Sequence, residues 1–391
     1  MDSTTLARHA ERYRRELLEN VIPFWQIHSR DPVHGGFYNC LDHDGTIYDT
    51  QKYIWLQGRQ VWMFSKLYNT LEAKPEWLQV ATSGMEFLQK HAVRPDGRVY
   101  FCLSENGRPV YLQRKIFTEC FYTMALAEFS RATGENRYLE EAERVFSEIQ
   151  KWSTDLSQVG RPTYEGAPPL QQLAIPMILL NLIEELDPEG ERGYEKQVRQ
   201  LIDRMLLHVH PDKQLVYEHV LADGSVHDSS DGRLINPGHA IEAGWFLQHW
   251  AIKLGDEQLK ETAINMVRWS HDFGWDEEYG GLYYFLDAEG FSPTPLEWFM
   301  KLWWPHCEAL YAHLLNYQLT GSKEDWQRYL QTFEYTFHHF PDTTYGEWYG
   351  YLDRQGNPTH RFKGAPYKGC FHVPRAMWLC RQKTEELVNV V

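Results

Sequence analysis

Apolar and polar positions follow two helical styles along this chain. Between about Thr4 and Ile22, the residues Leu6, Ala10, Tyr13, Leu17 and Val21 recur at steps of 3 and 4 with Arg and Glu between them. That spacing predicts an amphipathic helix. Asn136 to Trp152 reads the same way, with Leu139, Ala142, Phe146 and Ile149 on its apolar side. Four other stretches are apolar nearly all round: Phe117 to Phe129, Leu170 to Ile183, Ile241 to Ile252 and Ala309 to Tyr317. A helix apolar on every side is enclosed by others.

Between the two kinds of helix the same short hairpin recurs. It runs from Gly35 to Gly45, Val99 to Gly107, Val216 to Gly224, Gly280 to Gly290 and Tyr349 to Gly356. A sixth slot, at Gly166, carries a Gly/Pro loop instead. The glycines 45, 107, 166, 224, 290 and 356 stand 62, 59, 58, 66 and 66 residues apart. A period of this length fixes the architecture before any local reading does. Each unit is an outer helix, a hairpin or loop, and an inner helix, so six units give twelve helices. The predicted fold is all-α, an (α/α)6 barrel with short β-hairpins at one end. An open solenoid would expose its helices more evenly and need polar capping repeats. No linker or low-complexity run breaks the period, so residues 1–391 read as a single domain.

Composition narrows the function. A formal charge of −15 disfavours nucleic acid and anionic membrane, which need a basic footprint. The six cysteines are scattered without a Cys-x-x-Cys, as expected of reduced thiols rather than a disulfide framework. Residues 8 to 19 hold four Arg and three Glu in mixed order, unlike a signal peptide, and Leu173 to Leu180 is too short to span a bilayer. A cytoplasmic location is expected. Aromatics make up 15% of the chain. Large rings fill helical cores, but Trp and Tyr also stack on sugar faces.

In such a barrel the hairpin-side loops converge where the inner helices begin. Four of the six converging segments contain Pro, favoured in a first helical turn. His239 and Glu242, three apart, share a helix face. At a helix N-terminus the dipole disfavours protonation of an imidazole, which suits a base near neutral pH; the other reading is an inter-helix hydrogen bond. His372 holds the matching position in the sixth unit, and Glu308 lies in the unit between. Arg59 sits on an otherwise apolar helix, where an unpaired cation is expensive. Arg59 and Glu308 are therefore either site residues or members of a buried ion pair with Glu119 or Glu242. His208, His210, His338 and His339 fall at outer-helix ends and read as solvated. No metal-ligand set and no phosphate-binding glycine motif is present, so no metal is predicted.

The segments Gly58-Arg59, Pro237-Gly238-His239-Ala240-Ile241-Glu242-Ala243, Trp303-Trp304-Pro305-His306-Cys307-Glu308-Ala309 and Phe371-His372-Val373-Pro374-Arg375 resemble those of the N-acyl-D-glucosamine 2-epimerase family. The resemblance runs from Phe24-Trp25 through the last helix. It implies an isomerase that interconverts N-acetylglucosamine and N-acetylmannosamine. His239 and His372 would be the two acid/base groups acting at C2 of the ring-opened sugar. Arg59 would bind the developing oxyanion, Glu242 and Glu308 would orient the histidines or hold hydroxyls, and Trp303 and Trp304 would wall the cavity. Related cellobiose 2-epimerases and aldose–ketose isomerases carry a further His near positions 171–177, which this chain lacks. In the N-acylhexosamine branch ATP is an activator that is not consumed, and Gly160, Arg161, Tyr164 and Gly166 resemble the loop proposed to hold it. The small-molecule partner is then an amino sugar, and a homodimer is expected. Two rivals are an (α/α)6 glycoside hydrolase using Glu242 and Glu308, and a non-catalytic protein-binding module.

Overall fold

The computed structural model describes residues 3–162 and 164–390; Thr163 falls inside the loop just named and lies outside them. Six inner helices (Ile54–Thr70, Phe117–Thr133, Ala174–Leu186, Pro237–Leu254, Trp303–Thr320 and His372–Val390) stand within a ring of outer ones. The first outer element is continuous but in three parts: Ser3–Arg15, a π-helical stretch Glu16–Val21, and Ile22–His28. It therefore runs a turn and a half beyond its sequence-predicted end. The other outer helices are Pro75–His91, Asn136–Thr154, Glu195–Leu206, Glu257–Gly274 and Lys323–His339. The third inner helix starts at Ala174 rather than Leu170.

Burial matches the two styles of pattern. On Pro237–Leu254 thirteen of eighteen positions are buried, on all sides of the helix up to Ala251, whereas Asn136–Thr154 buries one stripe through Tyr138, Ala142, Val145, Phe146 and Ile149. The inner helices are closed off by left-handed glycines after the second, fourth and fifth: Gly134, Gly255 and Gly321.

The hairpins do more than connect. The strand leading into one inner helix pairs antiparallel with the hairpin of the next unit. Lys52–Tyr53 pairs with Cys102–Leu103, Leu234–Ile235 with Leu286–Asp287, and Lys301–Leu302 with Tyr351–Leu352. Backbone bonds between Leu41 and residues Lys363 and Gly364 join the last unit to the first. Among the described residues the third unit shows no such hairpin, and its loop holds a short 3-10 turn, Leu156–Val159.

The repeat glycines have a second reason to be glycine. Gly45, Gly107, Gly224, Gly290 and Gly356 all have φ between +81° and +89°, whereas Gly166 is not in the left-handed region. A Cβ on Gly45 would also lie 2.2 Å from the ring of His28, one on Gly107 2.3 Å from His91, and one on Gly356 2.5 Å from His339. An outer-helix His thus braces a hairpin turn in three units. This corrects the solvated reading for three of the four: His339 Nδ1 bonds the Gly356 carbonyl, His210 Nε2 the Gly224 carbonyl, and His208, itself buried, the Tyr217 carbonyl, whereas His338 is exposed as expected.

A second repeated device is a buried lysine. Lys52, Lys301 and Lys363 bond Asp31, Asp276 and Asp342 at 2.6, 3.1 and 2.8 Å, and each also takes a glycine carbonyl. These pairs stitch the start of three hairpins to the segment that leads into the next inner helix.

Candidate active site

The inner-helix N-termini and hairpins surround a cavity of about 660 Å³. Arg59, Glu242 and Glu308 are each the sixth residue of their helices, which brings three charges to one level of the barrel. His372 and His239 stand nearer the mouth, the first and third residues of theirs. Asn236 caps the fourth inner helix by accepting from the His239 amide at 3.1 Å. Trp304 contacts both imidazoles, with ring centroids 5.2 Å from His239 and 5.7 Å from His372. Gly238 permits this: a Cβ there would lie 2.6 Å from the Trp304 ring. Trp303 also lines the cavity.

Each imidazole has a carboxylate behind it. His239 Nδ1 bonds both oxygens of Glu218, at 3.0 and 3.1 Å, and His372 Nδ1 bonds Glu308 at 2.7 Å. A carboxylate accepts, so Nδ1 carries the hydrogen in both rings, and Nε2 is the working atom. Neither Nε2 has a protein hydrogen bond among the described residues, and both rings line the cavity.

The two rings are tuned apart. Burial works against protonation of His239, but the Glu218 carboxylate outweighs it and raises the pKa above the ordinary value. Burial holds His372 well below the ordinary value, and the Arg59 and Arg375 guanidinium groups push the same way. The expectation that the helix dipole keeps His239 neutral is therefore corrected. Its own carboxylate, contributed by a hairpin, is the larger effect.

Of the two roles expected for Glu242, orienting His239 is not the one it has. A buried guanidinium, Arg375, donates from Nη2 to Glu242 at 2.5 Å and to Glu308 at 2.7 Å. Oxygens of Glu242 and Glu308 and a nitrogen of His372 lie within 4.8 Å of one another, near enough to surround a cation, and the Arg375 guanidinium sits on both carboxylates. Trp245 Nε1 donates to the other Glu308 oxygen at 3.0 Å.

Arg59 is in neither expected ion pair. Glu119 is bonded to Arg98 at 2.6 Å instead. Among the described residues no carboxylate pairs with Arg59. Its guanidinium rests over the rings of Phe121, Trp55 and Phe371 at 4.0, 4.4 and 4.8 Å. Burial and the Arg375 charge lower its pKa to about 9. A cation held by ring faces and aimed into a cavity is free to meet a developing negative charge.

Glu218 and Arg375 were missed in the sequence. Arg375 carries the same signal as Arg59, an arginine in an otherwise apolar stretch, Val373 to Cys380, three residues after His372. Glu218 lies between the strands Leu215–Val216 and His219–Val220, a buried charge next to Tyr217.

Among the described residues of the loop from Gly160 to Gly166, none lines the cavity. Gly160 has φ +76° and Tyr164 is exposed. The Gly160 amide donates to Ser157 O and the Arg161 amide to Leu156 O, so these N–H groups do not fit a phosphate cradle. What fits an anion is the Arg161 guanidinium, which has no ion pair among the described residues. Its charge, together with burial, lowers the pKa of the neighbouring Lys115 on the cavity rim.

Comparison with known proteins places this geometry. Residues 36–375 match the family described as N-acylglucosamine 2-epimerase (GlcNAc 2-epimerase). The chain is 46% identical over 397 residues to the N-acylglucosamine 2-epimerase of Bos taurus, covering 99% of this chain and 94% of that one. It is 46% identical over 394 residues to the Homo sapiens enzyme of the same name, covering 98% and 92%. The solved structure of cellobiose 2-epimerase from Spirochaeta thermophila superposes with a TM-score of 0.83 at 21% identity, covering 98% of both chains, and so shares the barrel fold.

Proposed function

The chain belongs to the N-acylglucosamine 2-epimerase family, and from that premise we propose how it works: it interconverts N-acetylglucosamine and N-acetylmannosamine by moving a proton across C2 with His239 and His372. The observation that carries this reading is the pair of imidazoles on separate walls, each with Nδ1 on a carboxylate and Nε2 toward one cavity.

Ring opening puts an aldehyde at C1 and makes the C2 proton α to a carbonyl. Neutral His372 removes that proton through Nε2, leaving an enolate. Protonated His239 delivers its Nε2 proton to the opposite face, and the centre is inverted. In the reverse direction the two rings exchange parts. General acid–base help of this kind is worth roughly 10²–10⁴ in rate. The Arg59 guanidinium meets the enolate oxygen, a contribution of about 10²–10³ for one such donor. Glu308 and Glu218 fix the ring orientations, and Arg375 fixes Glu308 and Glu242.

A glycoside hydrolase would need two carboxyl groups flanking a bond, about 5 Å or more apart. Here Glu242 and Glu308 share one guanidinium between them, which favours the epimerase. The direct test is incubation with N-acetylmannosamine and detection of N-acetylglucosamine, with His239→Asn and His372→Asn as controls. Near wild-type turnover by either variant would make that histidine structural.

The same reading carries three further proposals. ATP would activate without being consumed, acting through Arg161 and Lys115. Arg161→Ala should then raise the half-saturating ATP concentration, by binding calorimetry as well as by rate. The six free, buried cysteines are compatible with a cytoplasmic location, and among the described residues no helix is long and apolar enough to cross a membrane. A homodimer would be tested by sedimentation.

A further inference from the structure

The third inner helix presents Ala174, Met177, Ile178 and Asn181 to the cavity, positions i, i+3, i+4 and i+7 on one face. Three of the four are apolar. Asn181 is the exception: it is 6% exposed, and its carboxamide has no hydrogen-bond partner among the described residues. The carboxamide is not sealed from solvent but opens on the cavity, where a ligand or water can pair it. The neighbouring inner helices add Phe121 on one side and Phe246 on the other.

Depth ties this wall to the reacting centre. Asn181 is the eighth residue of its helix, and Arg59 and Glu242 are the sixth of theirs. At about 1.5 Å per residue, the carboxamide lies roughly 3 Å deeper than that charged level. With the two imidazoles on opposite faces of C2, the remaining substituents of C2 spread in the plane between them. The third unit is the wall next to that of His239, and the sixth, which carries His372, stands across the ring from it.

We propose that Asn181, with Met177, Ile178 and Phe246, forms the subsite that reads the acylamino group on C2. This deepens the epimerase reading and rests on it. An amide entering an apolar wall must have both its N–H and its C=O matched, or its burial is strongly disfavoured. A carboxamide offers one acceptor and two donors in a plane, and so matches both groups at once. The acyl methyl then packs on Met177, Ile178 and Phe246. A sugar with a C2 hydroxyl fills neither the apolar contact nor both hydrogen bonds, so Asn181 is a specificity-determining residue.

The experiment compares wild type with Asn181→Leu and the near-isosteric Asn181→Asp. It measures KM for N-acetylmannosamine and the competitive inhibition constant of mannose, its C2-hydroxyl counterpart. The inference predicts that the preference for the N-acetyl sugar falls about tenfold or more in both variants, mainly through KM. It also predicts that Asn181→Leu does not lower the melting temperature, because no protein partner is lost. Equal losses toward both sugars, or a preference within about twofold of wild type, would overturn it. Wild type that fails to epimerise N-acetylmannosamine would instead remove the parent reading.

Discussion

Replacing Glu218 by Gln should move the basic limb of the pH–rate profile and leave the acid limb in place. Glu218 holds His239 Nδ1 at 3.0 Å, and its charge raises a pKa that burial would otherwise lower. Gln keeps the shape and the acceptor oxygen but removes the charge. At 3 Å and an effective dielectric of about 20, the Coulomb attraction is at most roughly 5 kcal/mol. Shifts caused by a facing opposite charge run about 1–3 pK units, or about 1.4–4 kcal/mol. The active form carries one proton on the histidine pair, so kcat/KM is bell-shaped in both directions with the macroscopic values of the pair. The acid limb is set by His372, whose low pKa comes from burial, Arg59 and Arg375. The basic limb is set by His239. In Glu218→Gln that limb should fall by about 1–3 pH units, narrowing the plateau from its alkaline side. Initial rates from N-acetylmannosamine between pH 5 and 10, followed by NMR, would measure it. A basic limb unmoved in the variant would refute the assignment of His239 as the protonated partner.

Three further outcomes concern stability. Arg375→Met should cost about 3–5 kcal/mol in urea unfolding, because Glu242 and Glu308 lose the cation buried between them. Gly107→Ala should cost about 1–3 kcal/mol from its φ of +85° and a Cβ 2.3 Å from His91. Adding His91→Ala should recover the steric part and leave the backbone part, which a double-mutant cycle separates. Folded His208 and His306 titrate at about 4 and about 3, depressed by burial. The unfolded chain takes up their protons first, so stability should fall as pH drops below 6.5 toward those values. The slope is about 1.4 kcal/mol per pH unit for each, read from urea midpoints at pH 7 and pH 5.

The barrel was legible because its two signals are local. An all-round apolar helix can only be an inner one, and a left-handed turn glycine repeats wherever the hairpin does. The sequence also marks Gly166 as the odd unit, and among the described residues its loop shows no hairpin. What stayed hidden depends on contacts across units. Nothing in the spacing of Glu218 and His239, twenty-one residues apart, says that a hairpin carboxylate lies behind that imidazole. Helix-face logic offered Glu242 instead, but on the face it shares with His239 it meets Arg375 from another unit. His208, His210 and His339 read as solvated because they fall at outer-helix ends, and only the tertiary fold lays a hairpin against them. The lysine pairs left a trace that went unread: Asp31 before Gly35-Gly36, and Asp276 before Gly280-Gly281, each followed by a lysine two residues ahead of an inner helix.

The central claim is that two imidazoles pass a proton across C2, and the isotope at that carbon tests it most directly. N-acetylmannosamine is converted in heavy water, and the N-acetylglucosamine formed at low conversion is examined by NMR and mass spectrometry. The account predicts deuterium at C2 of the product, delivered from His239 after His372 has taken the original proton. N-acetylglucosamine that keeps the original hydrogen at C2 would contradict it.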